Sequence, residues 1–110
     1  MDESIEKYRH DAEIIRLTAE QISKDFGSLL PEVIIPENAE MVFEEIKNQV
    51  LTVLQSLHQN NKSALRSLFY RVDLKESEIA AISASALPGL AEKIIRREFQ
   101  KVLTKKYFSS

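Results

Sequence analysis

From Ile5 to Phe26 the apolar residues fall at Ile5, Tyr8, Ala12, Ile15, Ala19, Ile22 and Phe26, separated by alternating steps of three and four. An α-helix turns once in about 3.6 residues, so this spacing lays the side chains along one narrow seam. The same period governs the later segments, apart from a proline-bounded stretch at 28–36. Nowhere do apolar residues alternate with period two, as a half-buried strand requires. The pattern predicts an all-α chain.

Two glycines and three prolines punctuate that pattern. The first helix is predicted over about 4–26, with Gly27 in the position that commonly ends a helix. Pro31 and Pro36 forbid a helix across 28–36. That stretch nevertheless carries Leu29, Leu30, Val33, Ile34 and Ile35. So apolar a linker is expected to lie extended across the bundle or to await a partner. A second long helix is predicted over about 37–59. Its broad stripe of Ala39, Val42, Phe43, Ile46, Val50, Val53, Leu54 and Leu57 marks it as the central helix. Asn61 is placed to cap a short helix over 62–71, whose Ala64, Leu65, Leu68 and Phe69 face inward. Asp73 reads as the N-cap of the next helix, with Glu76 completing a capping box. That helix, over about 74–85, is rich in alanine and serine and anchored by Ile79 and Ile82. The last helix, over about 88–107, has Pro88 in its first turn and buries Leu87, Ala91, Ile94, Ile95, Phe99, Val102 and Leu103. The expected fold is a single domain spanning residues 1–110, a compact bundle of about five helices, three long and two short.

Composition narrows the function classes. Hydrophobic residues make up 44% and charged residues 29% of the chain, the balance of a folded domain rather than a disordered one. The absence of cysteine excludes disulfides, thiol catalysis and thiolate metal sites. The start, Met1-Asp2-Glu3-Ser4, lacks the basic residues of a signal peptide. No apolar run approaches the ~20 residues of a membrane span. A soluble, cytoplasmic protein that does not engage membranes is expected. The net charge of −2 gives no general pull toward nucleic acid.

Charge is unevenly spread. Residues 88–110 hold six basic and two acidic groups, against nine basic and fifteen acidic in residues 1–87. Lys93, Arg97, Lys101 and Lys105 recur every four residues and form one basic stripe, with Arg96 and Lys106 beside it. Like charges four apart repel, and three such pairs cost the helix about 1 kcal/mol. The helix dipole favours cations near a C-terminus, and Glu98, three residues before Lys101, relieves part of the repulsion. The stripe is therefore either a solvated face or a binding strip. Its partner would be RNA, DNA or an acidic protein surface, and the acidic remainder of the same chain is one candidate.

The seam of Ile5, Tyr8, Ala12, Ile15, Ala19 and Ile22 allows two readings. It serves equally as a dimer interface or as the face a helix turns to its own bundle. His10 shares a helical face with Glu6 and Glu13, the spacing of metal and acid–base sites, but charged helices produce such neighbours by chance. His58 sits at a helix end. Glu37, Glu40, Glu44 and Glu45 gather where the dipole favours acids, with no Glu-x-x-His partner to suggest a di-metal bundle. No phosphate-binding or nucleophile motif is present. The turn Arg71-Val72-Asp73-Leu74 has the length of a helix-turn-helix connector. The following Lys75, Glu76, Ser77 and Glu78, however, are mostly acidic or small where a DNA-reading helix needs basic or amide side chains. Neither a catalytic residue nor a cofactor or metal is expected.

Leu65-Arg66-Ser67-Leu68-Phe69-Tyr70-Arg71-Val72-Asp73, followed by the run from Leu90 to Leu103, resembles short, uncharacterised helical proteins of Bacteroidetes-type bacteria. The resemblance implies a small cytoplasmic bacterial protein and transfers no activity or site. Together these readings favour a non-catalytic interaction or assembly module, self-associating through the seam. The alternative is a nucleic-acid binder using the stripe.

Overall fold

A computed structural model describes residues 7–8, 11–37 and 41–108. Among the described residues five helices follow in order: α1 (Ala12–Phe26), α2 (Val42–Asn60), α3 (Lys62–Arg71), α4 (Glu76–Ala80) and α5 (Leu87–Phe108). Short 3₁₀ turns at Gly27–Leu29 and Ala84–Ala86 follow α1 and precede α5. Among the described residues there is no strand, and no helix is long and apolar enough to cross a membrane. The Cα radius of gyration is 13.6 Å, close to the ~13 Å of a compact chain this long.

The first helix is shorter than its seam. Asp11 is extended (φ −78°, ψ 109°), and its Oδ1 accepts the backbone N–H of Glu13 at 3.0 Å and of Ile14 at 3.2 Å. A capping carboxylate of this kind stabilises a helix by about 1 kcal/mol, and it starts α1 at Ala12; residues 7–8 ahead of it are helical too, so the extended Asp11 interrupts the helix expected over 4–26. The seam register is therefore not carried from Tyr8 to Ala12 by continuous helix. Gly27 ends α1 as expected, with φ +59° and its N–H on the Ser23 carbonyl. Asn61 caps α3 through Ala64, at 3.1 Å.

Asp73 does not cap α4. It sits in the left-handed region, φ +62°, which aspartate tolerates better than most residues, and it closes the C-terminus of α3. Its N–H reaches the Tyr70 carbonyl at 3.2 Å, and Leu74 N–H reaches Phe69 at 3.1 Å. An N-cap needs extended backbone, which a residue at φ +62° cannot supply. Lys75 takes that place, and Glu78 Oε1 accepts its N–H at 3.0 Å. The helix then lasts only five residues, not the twelve the sequence pattern suggests.

The central helix is α5, not α2. The buried residues of α2 are Val42, Ile46, Val50 and Leu54, one ridge at four-residue spacing. In contrast, α5 buries Leu87, Leu90, Ala91, Ile94, Ile95, Glu98, Phe99, Val102 and Leu103. Steps of both three and four give it a face wide enough to contact α1 and α2 together. One core runs through all five helices, centred on Phe26, Leu68, Phe69 and Ile94. A smaller cluster of Ile14, Phe99, Val102 and Leu103 closes the α1–α5 side. Phe43 meets Phe99 edge to face at 5.4 Å, and Tyr8 stacks on Tyr107 at 5.6 Å.

Candidate functional site

The basic stripe lies on the most buried helix, and most of it is spent on the chain itself. Lys93 pairs with Glu78 of α4. Lys101 Nζ lies 2.8 Å from Asp25 Oδ2, 3.4 Å from Glu98 Oε1 and 3.8 Å from Asp73 Oδ2. Lys105 donates to Gln21 Oε1 at 2.8 Å. Beside the stripe, Lys106 pairs with Glu13 at 3.0 Å and Arg96 with Glu92 at 3.3 Å. Arg97 is the exception: it is exposed and, among the described residues, has no ion-pair partner. Exposed cations without an ion pair also gather on α3, at Lys62, Arg66 and Arg71. Of the four-residue repeat, Lys93 and Lys101 thus meet acids on α4, α1 and the α3–α4 turn, and Lys105 meets an amide on α1.

Beneath Lys101 is a buried knot. The Glu98 side chain has 0% exposure, Asp25 16% and Lys101 23%. Gln21 Nε2 donates to Asp25 Oδ1 at 3.2 Å, so a chain of polar contacts runs Lys105–Gln21–Asp25–Lys101–Glu98. Burial pushes the Glu98 carboxyl up to about 8, and the hydrogen bond with Asp25 and its negative charge push the same way, against Lys101. Burial would also raise Asp25. Hydrogen bonds from Glu98, Lys101 and Gln21, with the Lys101 charge, outweigh it and hold Asp25 below its ordinary 3.8. For Lys101, burial acts downward, but bonding to Asp25 and the charges of Glu98, Asp25 and Asp73 keep it protonated above its ordinary value. Two carboxyls this close do not both ionise readily.

Sequence reasoning placed Glu98 on the surface as a foil for Lys101. The signal that locates it correctly is the register Leu87, Ala91, Ile94, Glu98, Val102, in which a carboxylate occupies a core position.

The other candidate surfaces are readily placed. Ile15, Ala19 and Ile22 of the seam are at most 5% exposed and packed in the chain's own core. Ala12 is exposed, Tyr8 is half-buried against Tyr107, and Ile5 lies outside the described residues. Ile15, Ala19 and Ile22 are thus taken up by the chain's own core. Glu6 and His10 also lie outside the described residues, and Glu13 is engaged by Arg16 and Lys106. His58 is half-buried in the last turn of α2. Tyr70 donates its hydroxyl to Glu76 at 3.2 Å, an acceptor that pushes its pKa above the ordinary 10.0. No group of three metal-ligating side chains occurs among the described residues.

The linker at 28–36 divides. Leu29, Leu30 and Val33 pack on the core, whereas Ile34 is 66% exposed and Ile35 40%. Gln49 of α2 holds this outward turn in place. Its Oε1 accepts Ile34 N–H at 2.8 Å, and its Nε2 donates to the Ile34 carbonyl at 2.7 Å. A side-chain amide thus pairs with the backbone as a neighbouring strand would, leaving the isoleucine side chain free. Met41, at the start of α2, is also exposed.

Between α1 and α5 runs a groove of about 370 Å³, floored by Leu17 and Val102 and walled by Glu13, Glu20, Gln21, Lys24, Lys105 and Lys106. No protein-family profile, curated protein or solved structure matches the chain.

Proposed function

We propose that the chain is a non-catalytic protein-interaction module whose docking surface is the Ile34–Ile35 strap. The observation that carries this reading is the Gln49 clasp. It fixes the exposed Ile34, next to the exposed Ile35, through backbone hydrogen bonds rather than through burial of its side chain. A surface ordered before binding loses little entropy on binding, and contiguous exposed aliphatic residues are a common mark of interaction sites.

The surroundings specify the partner's chemistry. Glu32, Glu37, Glu44 and Glu45 are exposed along the strap and the first turn of α2. Lys47, the base nearest in sequence to Glu44 and Glu45, is paired with Glu44 at 3.4 Å. A segment with aliphatic residues flanked by lysine or arginine complements this frame. Self-association remains within the reading if the second copy uses the strap. The lack of cysteine and the resemblance to small bacterial helical proteins favour a cytoplasmic setting.

A photo-crosslinking residue in place of Ile34, introduced in the cell of origin, tests the proposal. One discrete adduct is expected, weakened when Ile35→Asp is added, and its mass distinguishes a second copy from another protein. Equal adduct formation with and without Ile35→Asp, or none, overturns the strap as the docking surface.

A further inference from the structure

We infer that Asp25 and Glu98 form a one-proton latch between α1 and α5, in which Glu98 is protonated and donates to Asp25 while Lys101 clamps Asp25 from above. The latch closes while the proton is present and strains when it leaves.

The geometry favours a proton. Glu98 Oε2 is buried and, among the described residues, has no hydrogen-bond partner. The Glu98 and Asp25 carboxyls share the Lys101 ammonium, at 3.4 Å and 2.8 Å, yet two carboxylates offer acceptors only. A proton on Glu98 supplies the missing donor. It also removes one of two negative charges from a site with a single close cation. The groups set against the pair are few: Asp25 and the neutral Gln21 amide from α1, Lys101 from α5 itself, and Asp73 from the α3–α4 turn, reached through Lys101. With both carboxyls ionised, Lys101 faces three negative charges, one of which has no access to water. The raised Glu98 value is the energetic expression of the same arrangement.

The position gives the latch a consequence. Asp25 lies in the last turn of α1, two residues before Gly27, where the chain turns toward the 28–36 strap. Loss of the proton loosens the root of that segment. This step does not depend on the strap having a partner.

Thermal and chemical unfolding of the whole chain between pH 5 and pH 9.5 tests the latch, together with a ¹³C NMR titration of the Glu98 carboxyl. With proton-binding steps at about 8 folded and about 4.5 unfolded, linkage gives about a hundredfold fall in the folded-to-unfolded ratio from pH 6 to pH 9. Glu98→Gln, which keeps a donor and carries no charge, is expected to abolish that fall. Glu92→Gln, a change on the exposed face, is expected to leave it intact. Should Glu98→Gln not fold, the wild-type carboxyl titration decides alone. A Glu98 carboxyl that titrates near its ordinary value overturns the latch, and so does a Glu98→Gln protein whose pH profile matches wild type.

Discussion

Two regions depart from the usual partition of side chains in opposite senses. In the α1–α5 interface a carboxyl group, Glu98, has no exposure at all. On the strap an aliphatic side chain, Ile34, is 66% exposed. Each inversion is held by a polar device, Asp25 of α1 with Lys101 of α5 itself in the first case and the Gln49 amide of α2 in the second. The difference lies in what the device satisfies. In the interior, the side chain itself needs partners, because an unpaired buried charge costs several kcal/mol. On the strap, only the backbone needs partners, and the exposed isoleucine costs little. Disturbing the first should therefore unfold the protein. Disturbing the second should leave it folded and alter what it binds.

The largest effect is expected from Lys101→Met, which removes the cation and leaves Asp25 partly buried beside Glu98. Breaking a pair of this kind costs about 3 kcal/mol, readable as a lower urea midpoint at pH 7.5 with an unchanged slope. A loss below about 1 kcal/mol would show that the knot is solvated and the contrast with the strap is weaker than the geometry implies.

The pH response comes next, and its sign follows from the two shifts. Glu98 has a folded value of about 8, above its ordinary 4.5, so the folded state holds the extra proton between those values. Its stabilisation is complete below about pH 4.5 and declines as pH rises to about 8. Asp25 is lowered below 3.8, so its contribution is present above that value and lost on further acidification. The pair is most stabilising between about pH 4 and pH 5. From pH 6 to pH 9 the advantage of Glu98→Gln over wild type should grow by roughly 3 kcal/mol. The difference should shrink toward pH 5 and, with it, the gap in Tm. A constant difference across this range would mean that the substitution acts through packing rather than charge.

On the strap, Gln49→Ala removes two hydrogen bonds to one exposed residue. The expected cost is about 1 kcal/mol, with much faster hydrogen exchange at the Ile34 amide and little change in α5. Exchange that accelerates equally in both places would mean that strap and core open together and are not separable regions.

Much of the architecture was legible because it rests on spacing. The helical segments, the stop at Gly27 and the cap at Asn61 follow from local rules that tertiary contacts did not override. Asp73 was misread because its side chain suits two roles, and only the backbone angle, φ +62°, separates a helix end from a helix start. The rank order of the helices was misread because stripe width in α2 counts apolar residues, whereas centrality depends on having neighbours on two sides. Phe43, Val53 and Leu57 of that stripe are only partly buried. Glu98 was the costliest omission. A carboxylate three residues from a lysine ordinarily reads as a surface pair, although its register with Ala91, Ile94 and Val102 is that of the core. The Ile34 clasp had no sequence signal, since it joins a linker to a glutamine fifteen residues away.

The smallest stability effect, and the sharpest separation of the two regions, is expected from Ile34→Ser. The side chain already stands in water, so unfolding free energy should move by less than about 0.5 kcal/mol. Serine also keeps the backbone N–H and carbonyl that Gln49 engages. If the strap is a docking surface, this near-silent substitution should abolish partner capture while Glu98→Gln, with its large effect on the pH profile, leaves capture at pH 6 unchanged. If instead Ile34→Ser destabilises the fold by 1 kcal/mol or more, the isoleucine is contributing to the core after all. The outward turn would then be a packing feature rather than a presented surface.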